Sequence, residues 1–144
     1  ARNYKTGELD PNYQPPEIAG ETIQSYPAPE GLRVEMAIDQ SYQVDPVSGL
    51  VQNPGSFTTR NHIESVEQVR SDLAVKTEFK GNITHVQEFE IQPGTRVQES
   101  TVGPQRGSDG EVYPGGGNQI QILPQPRKKA ADFLIPMGNP RSIE

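Results

Sequence analysis

The sequence predicts a small α+β domain, mostly antiparallel, with one principal helix. Apolar residues alternate with period two in several short segments, the pattern of half-buried strands. One stretch after Asn61 switches to spacings of three and four, the pattern of an amphipathic helix. Proline and glycine, 14 of each in 144 residues of which only 31% are apolar, divide the chain into short elements joined by extended connections.

Residues 1–30 carry Pro11, Pro15, Pro16, Pro27 and Pro29 with almost no periodic apolar pattern, and read as a proline-rich arm or linker. Residues 31–144 then form a single domain, long enough for a real core. Its first strand spans 32–38, where Leu32, Val34, Met36 and Ile38 share a face. From Asp39 to Gly55 the pairs Asp45-Pro46, Ser48-Gly49 and Pro54-Gly55 predict a loop, or a hairpin with a weak second strand.

From Asn61 to about Phe79, Ile63, Val66, Val69 and Leu73 mark the buried stripe of the helix, with Asn61 and Glu64 spaced as a capping box. Strands follow at 84–91 and 95–99 around the Pro93-Gly94 turn. A glycine-rich loop from Gly103 to Gly117 leads to a strand at 119–123, which Pro124 and Pro126 end. Ala130 to Leu134 is a short helical turn.

The formal charge of −6 and scattered basic residues, apart from Arg127-Lys128-Lys129, disfavour nucleic acid as a partner, because phosphate neutralisation needs a basic surface. Without cysteine there are no disulfides or thiolate metal sites, which suits work in a reducing cytosol. No segment has the length of a membrane span or the layout of a signal peptide. The chain opens on Ala1, as a piece cut from a longer polypeptide does, and as a subcloned domain also does.

The run Val112 to Leu123 is the most informative stretch. Gly115, Gly116 and Gly117 hand the backbone to a strand that begins with Gln119, and residues without a Cβ let a main chain lie flush against a ligand. Gln119 points away from Ile120 and Ile122, so it faces a cleft while the isoleucines anchor the strand. The plainer reading is a glycine hinge before a strand with glutamines in solvent. His85 opens a strand on the face of Gln87, Phe89 and Ile91, as a core histidine or as a base. His62 reads as a solvated surface residue. Arg33, opposite the apolar face of its strand, is an exposed charge or a fork for diphosphate or carboxylate. Rossmann, P-loop, metal and calcium-loop spacings are absent, so no metal site is expected.

The stretch from Thr84 to Leu123 resembles the end of the tuberculosis necrotizing toxin family, a group of NAD glycohydrolase toxin domains related in fold to ADP-ribosyltransferases. The resemblance is carried by His85 at a strand opening, the turn region from Ile91 to Val97, and Gly115-Gly116-Gly117-Asn118-Gln119. Upstream, Gly55-Ser56-Phe57 resembles the family's glycine and aromatic pair and Arg70-Ser71 its arginine segment, so that residues 50–123 are covered. The sequence departs from the family in lacking an arginine between Ser48 and Pro54, which leaves that part to Arg33, and in a longer loop from Gln105 to Val112.

The resemblance implies hydrolysis of NAD or NADP to nicotinamide and ADP-ribose, with the dinucleotide as substrate and no further cofactor. Gln119 would hold the ribose, His85 would orient substrate or water or act as a base, and Phe57 would pack on nicotinamide. Arg33 and Arg70 would pair with diphosphate, beside the backbone of Gly115, Gly116 and Gly117. It further implies a larger delivery polypeptide, action in the target-cell cytosol after secretion, and a cognate immunity protein. An ADP-ribosyltransferase that modifies protein remains the first alternative, weakened because Gln119-Ile120-Gln121 lacks a glutamate. A non-catalytic β-rich interaction module is the second.

Overall fold

The computed structural model describes residues 23–77 and 79–143. In chain order the elements are β1 (Gln24–Pro27), β2 (Arg33–Asp39), α1 (Gln40–Gln43), β3 (Phe57–Thr58), α2 (Val66–Asp72), β4 (Ile83–Ile91), β5 (Arg96–Thr101), β6 (Gln105–Arg106), β7 (Val112–Tyr113), β8 (Asn118–Ile122), a 3-10 turn (Ala130–Phe133), β9 (Leu134–Pro136) and β10 (Arg141–Ser142). The fold is α+β and mostly antiparallel, as the alternation predicts.

Beside the small β6-β7 pair there are two larger sheets, one of order β1-β5-β8-β3 and the other β10-β4-β2, with β9 also paired to β4. They meet at an isolated bridge between Glu35 and Thr59, where Glu35 N donates to Thr59 O at 2.8 Å and Thr59 N to Glu35 O at 3.0 Å. Their facing surfaces enclose the main core, in which Val34, Met36, Ile38, Phe89 and Ile91 of one sheet meet Val97, Ile120 and Ile122 of the other. Burying such a side chain is worth about 1.5–3 kcal/mol, so this interface dominates the stability of the domain.

A second cluster lies on the other face of β2 and β4, where Ala37, Ile83 and Val86 pack against Ile63 and Val69. The pairing skips Thr84, since Ile38 faces His85 and Asp39 faces Ile83, and this bulge turns Ile83 to the same side as Val86.

Two expectations are corrected. The helix is Val66–Asp72 rather than a helix from 61 to about 79. Ser65, not Asn61, is its cap: Ser65 Oγ accepts from Gln68 N at 3.1 Å, and Gln68 Oε1 accepts from Glu64 N at 2.8 Å. Residues 61–63 are committed elsewhere, because Asn61 N donates to Thr59 Oγ1 and Ile63 N to Glu35 Oε1. The helix stops at Asp72 because the loop before β8 takes its last carbonyls: Gly115 N donates to Ser71 O and Gly117 N to Asp72 O. Second, residues 24–27, assigned by sequence to the arm, form an edge strand paired with β5, and Ala28 joins the core. The arm up to residue 22 lies outside the described residues. Among the described residues no helix is long and apolar enough to cross a membrane.

Candidate functional site

A cleft of about 530 Å³ opens beside the junction of the two sheets, within the size range of small-molecule sites. β2 supplies Glu35, Met36 and Ala37, residues 55–59 supply the stretch around Phe57, and β8 supplies Asn118 and Gln119. The chain leaving α2 closes it with Leu73, Ala74, Val75, Phe79 and Lys80. Ala74 holds a positive φ of 49°, which turns the chain back toward the cleft. A smaller hollow of about 200 Å³ lies between the end of β8 and the 3-10 turn, lined by Ser56, Ile122, Pro124 and Phe133. Its volume falls below that of a ligand pocket, so the larger cleft is the candidate site.

Gln119 is 7% exposed. Its backbone pairs with Ser100 on β5, its side chain lines the cleft, and no hydrogen bond to that amide occurs among the described residues. A buried polar group without a protein partner is rare in folded proteins and calls for a ligand or ordered water. Gln121 is buried too, so the expectation of glutamines in solvent is replaced; it lies outside the cleft lining. β8 is buried on both faces, which period-two alternation cannot reveal.

Phe57 pairs with Gln121 across β3 and β8 and lines the same cleft, so the structure brings Phe57 and Gln119 together. The other residues expected at the site do not line it. His85 lies between Ile38 of β2 and Ser142 of β10, with Nδ1 2.7 Å from Thr84 Oγ1. Arg33 is half exposed and pairs with Glu88 at 3.2 Å and Glu90 at 3.5 Å on its own sheet. Arg70 Nη1 donates to Val75 O at 3.0 Å, bracing the segment that bears Ala74.

Gly115 and Gly117 serve packing. A Cβ on Gly115 would stand 2.5 Å from Val102 O, and one on Gly117 would stand 2.9 Å from Asp72 O. The absence of side chains lets the loop approach the end of α2. The family-like spacing of the run is present, but its close neighbour is protein.

The cleft holds two charged residues that the sequence reading passed over. Glu35 receives Ile63 N at 2.8 Å, Arg141 Nη2 at 2.6 Å and lies 2.9 Å from His62 Nδ1. Burial opposes its ionisation, but these hydrogen bonds and the Arg141 charge hold its pKa below the usual carboxylate value. His62 is therefore exposed yet tethered, rather than simply solvated. Lys80 Nζ donates to Ala37 O at 2.5 Å. Desolvation pushes its pKa down to about 8, with the Asp39 charge acting the other way. No spacing rule marks either residue, since the junction of sheets that gathers them is formed by distant segments.

Next to the cleft, Asn118 Nδ2 donates to Glu99 Oε2 at 2.8 Å, Arg60 Nε to the same oxygen at 2.7 Å, and Tyr26 Oη to Glu99 Oε1 at 2.6 Å. Arg60 N in turn donates to Asn118 Oδ1 at 2.9 Å, which fixes the start of β8 one residue before Gln119.

No protein-family model matches the sequence, and no curated protein is matched. A solved structure of Tne2 in complex with Tni2 is similar in fold, with a TM-score of 0.72 and 20% identity, covering 88% of this chain and 96% of that one.

Proposed function

We propose that this chain is a toxin domain that hydrolyses NAD or NADP to nicotinamide and ADP-ribose. In this reading a larger secreted polypeptide delivers it to the cytosol of a target cell, where it works without a resident cofactor or metal. The observation that carries the proposal is the Gln119 amide, buried, without a hydrogen-bond partner among the described residues and set in the wall of a cleft large enough for part of a dinucleotide. The nicotinamide ring is a cationic pyridinium while bonded in NAD and departs as the neutral base with the bonding electron pair, so the leaving group needs no proton. The protein's task is to hold the ribose while positive charge builds at the anomeric carbon and to keep water at hand.

A glutamine offers the ribose hydroxyls both a donor and an acceptor without adding charge. Phe57 on the neighbouring strand supplies an apolar ring for nicotinamide. The likeness to Tne2, which is described in complex with Tni2, supports a second protein that binds and silences this domain. We assign that role to a cognate immunity protein.

The test is incubation of the purified chain with NAD and with NADP, measuring free nicotinamide and ribosylated protein separately, for wild type and Gln119→Ala. The wild type should release nicotinamide and label no protein. Gln119→Ala should stay folded with a melting temperature near that of wild type, because the cavity it opens is offset by removal of a buried amide that has no hydrogen-bond partner among the described residues. Its turnover should fall by on the order of a hundredfold, the usual penalty for losing one transition-state hydrogen bond. Labelled protein would point to a transferase. A folded Gln119→Ala protein with full turnover would sink the assignment.

A further inference from the structure

We propose that Lys80 is the anion anchor of the cleft, and that it takes the diphosphate of a dinucleotide substrate on its ammonium. The identity of the ligand rests on the hydrolase reading; the site itself rests on geometry. Among the described residues lining the cleft Lys80 is the single Lys or Arg, and Glu35 is the single carboxylate. A dinucleotide brings two negative charges that a cleft must meet, and Arg33 and Arg70 are engaged outside the lining.

The ammonium is set to receive such a ligand. It makes one hydrogen bond among the described residues, to Ala37 O in the β2 wall, leaving two of its three protons without an acceptor among them. Asp39, whose charge acts on Lys80, is already engaged: its Oδ1 accepts from Ser41 N at 2.8 Å and Ser41 Oγ at 2.5 Å, and its Oδ2 from Asn82 N at 3.0 Å. From α1, Tyr42 also faces the cleft, and its hydroxyl donates to Phe79 O at 3.3 Å. A lysine held this way binds phosphate as a compact point charge.

A partly desolvated ammonium has a signature that a hydrated surface lysine lacks. With its pKa near 8 in the empty cleft, Lys80 is part neutral at pH 8. An arriving anion favours the charged form and draws a proton from solution. Asp39 and Glu35, both held ionised by their hydrogen bonds, and Tyr42, whose pKa is raised by burial, do not change protonation in this range.

The test titrates wild type, Lys80→Met and Lys80→Arg calorimetrically with inorganic pyrophosphate, ADP-ribose and adenosine at pH 8. Two buffers of different ionisation enthalpy report proton uptake, and nicotinamide release is followed in parallel. Wild type should bind pyrophosphate and ADP-ribose with proton uptake. Lys80→Met should weaken both by about tenfold or more and leave adenosine unchanged, with Lys80→Arg between. The KM for NAD should rise in step while kcat changes little, since a charge clamp serves ground and transition states alike.

Equal anion affinities in wild type and a folded Lys80→Met protein would overturn the proposal. If Lys80→Met fails to fold, absence of proton uptake by the wild type would overturn it instead. Lys80-dependent pyrophosphate binding without nicotinamide release would keep the anion site and remove the hydrolase reading. Nicotinamide release with a KM indifferent to Lys80 would do the reverse.

Discussion

Alanine placed in turn at Gly115, Gly116 and Gly117 separates a packing role for the glycine run from a ligand-cradling one. At Gly115 two effects add. The backbone has φ +77°, and a new Cβ would meet Val102 O at 2.5 Å and Gly103 O at 2.8 Å, both main-chain atoms that cannot swing away. A left-handed conformation costs an L-residue about 1–2 kcal/mol, and an overpacked site about 1–3 kcal/mol more. If the loop retreats, the hydrogen bond from Gly115 N to Ser71 O at 2.8 Å is lost as well. The two effects sum to about 2–5 kcal/mol for Gly115→Ala, with about 1 kcal/mol more if the hydrogen bond goes, or roughly 8–20 °C in melting temperature for a domain of this size. Gly116 has φ +102° but open space around its Cβ position, so only the backbone effect of about 1–2 kcal/mol applies. Gly117 lacks the positive φ but would press on Asp72 O at 2.9 Å and Leu73 Cδ2 at 3.1 Å, for about 1–3 kcal/mol. Thermal and urea unfolding of the three variants should rank Gly115→Ala as the most damaging. A Gly115→Ala protein as stable as wild type but unable to release nicotinamide would refute the packing argument and return the run to the ligand.

Two further predictions follow from the charge clusters. Against the burial that opposes ionisation, hydrogen bonds from Arg60, Tyr26 and Asn118 hold the Glu99 carboxyl down to about 2. A depressed pKa adds stability above the unfolded value of about 4.3, lost as pH falls toward 2, so the melting-temperature gap between wild type and Glu99→Gln should narrow across that window. A constant gap would exclude this linkage. Arg141→Ala should lower stability by about 1 kcal/mol, because Arg141 Nη2 donates to both Glu35 Oε1 and Ile63 O at 2.6 Å while the side chain remains 39% exposed. Accelerated amide exchange at Ile63 and along β10 would locate the loss, and unchanged exchange there would count against it.

The strands were legible where one side of a segment is apolar. Leu32, Val34, Met36 and Ile38 read as a strand from their spacing and are 3%, 1%, 2% and 0% exposed. Period-two reasoning fails where both faces are covered, as at Gln119 and Gln121, because their cover comes from other parts of the chain. The helix was legible in its stripe and not in its ends. Ser65-x-x-Gln68 is a capping signature that the earlier Asn61 and Glu64 pair obscured, and the stop depends on carbonyls being taken by a loop more than forty residues later. The glycine run announced close approach correctly, yet a sequence does not say what is approached. Gln119 and Phe57 fall in one cleft because β3 and β8 are neighbours. Arg33, Arg70 and His85 have equally suggestive chemistry and are oriented by their elements to other partners.

The energetics of the cleft argue that its polar residues are retained for binding. Lys80 gives up hydration for one carbonyl and the influence of the Asp39 charge, and burial lowers its pKa accordingly. Gln119 gives up hydration for no partner among the described residues. An unpaired buried polar group costs about 1–3 kcal/mol, a sizeable part of the 5–15 kcal/mol that holds a domain together. Ala74, nearby, adds a left-handed backbone that only glycine adopts freely. These three features lie around one cavity, although buried Gln121 and the positive-φ residues Asn53 and Arg127 lie outside its lining. A ligand in the cleft would supply the partners that the Gln119 amide and the Lys80 ammonium lack among the described residues. On that logic, ADP-ribose should raise the melting temperature of wild type more than that of Gln119→Ala or Lys80→Met.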